Sequence, residues 1–135
     1  MTHILLIGTD LPLLEGLAQT FASLGLSPLV AQSINEGREL AAQHLPLVVL
    51  LSRSLATTGA EALTIPLAGG GARLLYHSPG GPTARFSLAI HRSVLADLTL
   101  PLERNRLIAL VQRVEERARV TGRSDDPSSR PAAPG

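Results

Sequence analysis

Leu47-Val48-Val49-Leu50-Leu51 is an unbroken run of five branched apolar residues, entered through Pro46 and left through Ser52. A strand with one wet face alternates apolar and polar residues, so a run this uniform predicts a strand covered on both faces, in the middle of a parallel sheet. That demand constrains the rest of the chain. Parallel neighbours cannot be joined by tight turns; each needs a crossover, usually a helix, so strands and helices should alternate in sequence.

They do. His3–Ile7 is a short apolar run closed by Gly8-Thr9-Asp10, which suits a buried strand feeding a helix capped by Asp10 or Thr9, with Pro12 in its first turn. Leu14, Leu17, Ala18, Phe21 and Leu24 then recur at helical spacing, and Gly25 supplies a stop. Ser27–Ala31 reads as a weaker second strand and Ile34–His44 as a second helix, its apolar positions Leu40, Ala41 and Leu45 interrupted by Gly37 and ended by Pro46. Beyond the central run, Gly59–Leu67 predicts a short helix cut off by Pro66 and Gly69-Gly70-Gly71, and Arg73–Tyr76 a fourth strand. After the Pro79-Gly80-Gly81-Pro82 turn come a helix over Thr83–Val94 and a short fifth strand over Ala96–Leu100. Leu107, Leu110, Val111 and Val114 mark an amphipathic last helix, with Arg104, Arg106, Arg113, Glu115 and Glu116 facing out. From Thr121 onward Gly, Ser, Asp, Pro and Arg dominate without periodicity, so the expected organisation is one domain over residues 1–120 and a flexible tail over 121–135. Right-handed crossovers put helices on both sides of such a sheet, and ligands beyond the carboxyl ends of its strands.

With 135 residues, 44% of them hydrophobic, the chain has material for one ordinary core. A net charge of +1, and an aromatic set limited to Phe21, Tyr76 and Phe86, supply neither the field nor the stacking platforms for nucleic-acid binding. The absence of cysteine excludes disulfides, thiolate metal sites and cysteine nucleophiles. Met1-Thr2-His3 lacks the basic opening and apolar run of a signal peptide, and no apolar stretch has the length of a membrane span. A cytoplasmic protein that binds no membrane is the expectation.

Five β-α units, a long apolar third strand and a proline just after the fifth resemble the receiver domain of two-component response regulators, over Thr2–Arg119. Pro46-Leu47-Val48-Val49-Leu50-Leu51-Ser52 is similar to that family's Pro-Asp-hydrophobic run ending in the phosphoacceptor Asp. Leu98-Thr99-Leu100-Pro101-Leu102 is similar to its stretch ending in Lys-Pro. The resemblance implies an α/β, flavodoxin-like (CheY-like) three-layer sandwich: a five-stranded parallel sheet of order 2-1-3-4-5 with helices on both faces.

It also implies a chemistry that this chain lacks. The family holds Mg²⁺ with acids after strand one, phosphorylates an Asp after strand three, and places a Thr or Ser after strand four and a Lys after strand five. The matching positions here hold Gly8 and Thr9, Ser52, Ser78 and Leu100, of which only Ser78 is of the family's type. No sliding of the match repairs this, because the chain has no Lys and no Asp between Leu11 and Ala96. The aromatic residue that the family often carries three positions before its Lys falls on Asp97.

The expected remnant of the phosphorylation pocket is Gly8, Thr9, Asp10, Ser52, Ser78, Leu100 and Pro101, with no catalytic residue, no metal and no cofactor. Asp10 alone is a poor substitute for a Mg²⁺ ligand set and suits a helix cap, while a Ser52 hydroxyl without an activating base cannot run an acyl-phosphate cycle. Ser52 and Ser78 are expected to bond nearby backbone, and Leu100 to fill the space of the family's Lys. His3, His44, His77 and His91 show no metal-ligand spacing, and the two glycine-rich turns lack the fixed spacing of nucleotide loops.

The segment Thr83–Val94 carries two apolar stripes, Phe86, Ala89, Ile90 and Val94 on one and Ala84, Leu88 and Leu95 on the other. One serves the core; the second either meets a partner or is buried by the domain itself. Since the resemblance implies pairing through this helix, strand five and the last helix, Phe86, Ile90, Val94 and Asp97 form the candidate interface. The expected function is a non-phosphorylatable, receiver-like signalling or regulatory module acting on a protein partner or as a homodimer. The alternative is a small-molecule-sensing domain using the remodelled pocket at the strand ends. An enzyme is disfavoured, because no nucleophile, base and orienting group can be assembled.

Overall fold

The computed structural model describes residues 2–56, 60–79, 92 and 94–125. Its strands are β1 (His3–Ile7), β2 (Ser27–Ala31), β3 (Val48–Ser52), β4 (Ala72–His77) and β5 (Ala96–Thr99), all parallel in one sheet of order β2-β1-β3-β4-β5. The uniform apolar run is the middle strand, β3, in register with β1 (Leu5 opposite Val49) and β4 (Leu50 opposite Leu74), and all five of its residues are buried. Between and after the strands lie α1 (Leu11–Ser23), α2 (Ile34–His44), a 3-10 turn (Ala60–Thr64) and α3 (Arg104–Asp125).

The two-residue period of the strands divides the core into two layers. Ile4, Leu6, Val48, Leu50, Leu74, Tyr76 and Leu98 face α1 and α3, meeting Leu14, Leu17, Phe21, Leu107, Val111 and Val114. Leu5, Ile7, Val49, Leu51 and Leu75 face the other way, onto Ala41 of α2 and onto Ala62 and Ile65 at the 3-10 turn. Burying such side chains contributes about 1.5–3 kcal/mol each, and no aromatic other than Phe21 and Tyr76 takes part among the described residues.

The helix ends follow from local chemistry. Asp10 caps α1, its Oδ1 accepting the Leu13 N–H at 3.3 Å, and Gly25 takes the left-handed conformation (φ 88°) just past the helix. Ser33 caps α2 by accepting the Glu36 N–H, while Glu36 accepts the Gln32 N–H at 2.7 Å in return.

The structure corrects four expectations. Gly37 does not interrupt the stripe of α2: it is buried, and a Cβ there would strike Ile7 Cδ1, so the glycine lets the helix approach β1 closely. Leu45, assigned to the core stripe, instead ends α2 in the left-handed region (φ 46°) and is 51% exposed. The helix expected over Gly59–Leu67 is the single 3-10 turn, tied by the Thr64 hydroxyl donating to the Glu61 carbonyl at 2.7 Å. The last helix continues to Asp125, five residues into the segment read as tail. The helix expected over Thr83–Val94, with Phe86 and Ile90, lies outside the described residues apart from Arg92 and Val94.

Candidate functional site

The carboxyl ends of β1, β3 and β4 open onto a cavity of about 270 Å³. Thr9, Asp10, Ser52 and Ser78, assigned from sequence to the remnant pocket, all line it. Arg53, Ser54, Tyr76 and His77 join them. Leu100 does not: it is fully buried in the layer between the sheet and α3, where it fills space away from the cavity wall. Pro101 sits on the outer surface, in a groove with Pro12, Gly16 and Arg104.

Gly8 lies beneath the cavity, its N–H donating to the Ala31 carbonyl at 3.0 Å. Any side chain there would collide with the phenol oxygen of Tyr76. Tyr76 is the fifth residue of a six-residue strand whose alternation points it at the α1 side, directly over Gly8. Its hydroxyl is buried without a hydrogen-bond partner among the described residues. Burial pushes the phenol above its ordinary range; the adjacent Ser52 side chain moderates the rise and the charge of Asp10 adds to it. That moderation falls short of a well-formed hydrogen bond, because the Ser52 hydroxyl engages Ser54 Oγ at 2.8 Å and accepts the Ser54 N–H at 3.3 Å.

From Arg53 and His77 on the cavity wall runs a polar chain that the sequence reading did not assemble. Arg53 Nη1 donates to Asp97 Oδ2 at 2.7 Å, with only 11% and 22% of the two side chains exposed. The other oxygen of Asp97 lies 3.1 Å from His77 Nδ1, and His77 Nε2 lies 3.0 Å from the Thr99 hydroxyl. A carboxylate only accepts, so His77 Nδ1 carries a hydrogen toward Asp97. The Thr99 N–H donates in turn to Glu103 Oε1 at 2.8 Å, and Glu103 Oε2 holds Arg106 at 2.9 Å. Asp97, a candidate interface residue, has both of its oxygens engaged, one by Arg53 at the end of β3 and the other by His77 at the end of β4. Val94, the other described interface candidate, is partly buried against the second core layer.

The donor set does not fit Mg²⁺. That ion takes oxygen ligands, usually with one or two carboxylates, and holds them in strict octahedral geometry. Asp10 is engaged as a helix cap, Asp97 is paired with Arg53, Gly8 offers no side chain, and an arginine cation lines the wall. Among the described residues no group of three metal-ligating side chains exists, and no helix is long and apolar enough to cross a membrane.

Neither family models nor curated proteins give a match to this chain. Solved structures do. A two-component response regulator from Clostridium difficile superposes with a TM-score of 0.71 over 87% of this chain and 98% of its own, at 17% identity. A receiver domain from Clostridium thermocellum gives 0.69 over 90% and 99%, at 15% identity. A CheY-like receiver from Methanospirillum hungatei gives 0.63 over 88% and 98%, at 14% identity. The chain has the CheY-like receiver fold. Within it, the mouth where Gly8, Ser52 and Ser78 meet is the place the sequence match assigned to the phosphorylation pocket, and the residues found there form an ion-paired network with a phenol beneath it.

Proposed function

We propose that this chain is a receiver-like signalling or regulatory module that runs no phosphoryl-transfer cycle and acts through contact with another protein. The observation that carries the reading is the seat of the Tyr76 hydroxyl over Gly8. Where the resemblance calls for a metal-holding acid there is no side chain, and the space such an acid would enter is already filled. Ser52 stands at the acceptor position with its hydroxyl engaged by Ser54, and Arg53 and Asp97 neutralise each other at the rim. A domain of this fold with no phosphoryl chemistry at its mouth is left with binding as its means of action, and Leu102, 75% exposed beside β5, adds apolar surface on that side. Nothing observed favours small-molecule sensing over this reading.

The test is to add Mg²⁺ with beryllofluoride, and separately with acetyl phosphate, to the purified chain. Intact mass and amide chemical shifts are then read. The expected result is no mass gain and no saturable shift at Thr9, Ser52 or Ser78. A phosphoryl adduct, or Mg²⁺-dependent shifts at those three residues, would sink the proposal.

A further inference from the structure

At the other end of the sheet from the mouth lies a larger cleft, of about 430 Å³, between the segment entering β4, the segment entering β5, and α3. Three arginines line it, Arg73, Arg92 and Arg117, and none of its described lining residues is acidic. Arg73 is the least exposed of the three. Its Nε donates to the Ala62 carbonyl at 2.7 Å and its Nη2 to the Ile65 carbonyl at 2.9 Å. Those carbonyls engage two of its hydrogens without cancelling its charge, and burial holds the guanidinium below its ordinary value with no carboxylate to offset the cost. Arg53, Arg106 and Arg119 each have a carboxylate partner; among the described residues Arg73, Arg92 and Arg117 have none within ion-pair distance. Three like charges around one concavity build a local positive potential that the net charge of +1 conceals.

We propose that this cleft receives an acidic segment of a partner protein, with carboxylates meeting Arg92 and Arg117 at the rim and an apolar side chain resting on Val94 and Leu95. The proposal rests on the reading of the chain as a protein-binding module and adds the chemistry of the partner. A compact inorganic anion fits the cleft less well. The Gly71 N–H is spent on the Ala68 carbonyl at 3.0 Å, Arg73 has donors committed to carbonyls, and Leu95, 46% exposed, would stay wet beside such an ion. An extended segment alternating acidic and apolar residues satisfies both the charge and the apolar surface.

The experiment is a titration of the isotope-labelled full chain with a capped peptide alternating Glu and Leu. A Gln-and-Leu counterpart and inorganic phosphate serve as comparison probes. Saturable amide shifts at Gly70, Gly71, Val94 and Leu95 are expected with the acidic peptide alone, weakening as salt is raised. Combined Arg92→Glu and Arg117→Glu substitution, at two exposed positions, should weaken binding by about tenfold or more while leaving the melting temperature in place. Absence of shifts there, equal binding of the neutral peptide, an equal response to phosphate, or undiminished affinity in the charge-reversed variant would each overturn the proposal. Because the beryllofluoride experiment reads Thr9, Ser52 and Ser78 at the other end of the sheet, the two proposals fail separately.

Discussion

A Cβ atom on Gly8 would land on the phenol oxygen of Tyr76. The bare backbone at one position and the phenol at the other are therefore coupled: no side chain fits at Gly8 while the Tyr76 hydroxyl stands over it. Gly8→Ala is expected to destabilise the fold by about 1–3 kcal/mol through overpacking. In a Tyr76→Phe background the cost should largely vanish, since the oxygen is gone and the nearest ring carbon stays 3.3 Å from the new methyl group. Tyr76→Phe alone should be neutral or stabilising, because it removes a buried hydroxyl with no partner. Urea denaturation of the four proteins in a double-mutant cycle reads the coupling, and simple additivity would refute it.

Asp97 serves two donors at once. Asp97→Ala removes the carboxylate that accepts from both Arg53 and His77, and should cost on the order of 1–3 kcal/mol. Asp97→Asn keeps one acceptor oxygen and should fall in between. Chemical denaturation checks both; an Ala variant as stable as the parent would show that the network contributes nothing.

His3 sets a dependence on pH near neutrality. The rings of His3 and His44 lie 4.9 Å apart, and burial, with the facing His44 charge, holds His3 below its ordinary value of 6.5. A base with a lowered folded-state value takes up its proton more readily when unfolded. Its contribution to stability is whole above pH 6.5 and declines as pH falls through and below that point. His3→Gln should flatten this limb of a melting-temperature profile. A variant with the parent's slope would rule out His3 as its source.

Glu103 adds a separate limb at lower pH. The Thr99 N–H, and after it Arg106, hold its carboxyl below the ordinary value of 4.5. The sign is the same as for His3, because a lowered folded-state value again means that the unfolded chain binds the proton more readily: the stabilisation is present above 4.5 and is lost as pH falls below it. Glu103→Gln should lower the acid sensitivity in that window and leave the limb due to His3 as it was.

How much of this could be read from sequence follows from what alternation can and cannot carry. The run at Leu47–Leu51 announced a central strand because five apolar residues admit no wet face, and the found strand is displaced from it by one residue. Thr9, Asp10, Ser52 and Ser78 converge as expected because strand ends in a parallel sheet share one side. The network was partly legible: alternation puts Asp97 and Thr99 on one face of β5, and parallel pairing sets His77 opposite Thr99. What could not be read is that Arg53, far away in sequence, would reach Asp97, since side-chain reach across strands depends on packing. Gly37 was misjudged for a related reason. A glycine in a helix looks the same whether it weakens the helix or admits a neighbour, and only the position of Ile7 distinguishes the two.

Tyr76 is the one tyrosine of a chain without tryptophan. With only phenylalanine beside it, this ring dominates the near-ultraviolet absorption and the intrinsic fluorescence, and it is the floor beneath Asp10, Ser52 and Arg53. The protein carries its own optical label at its mouth: a ligand, proton or partner that disturbs this region is read on that one phenol, against only the weak signal of Phe21 and Phe86.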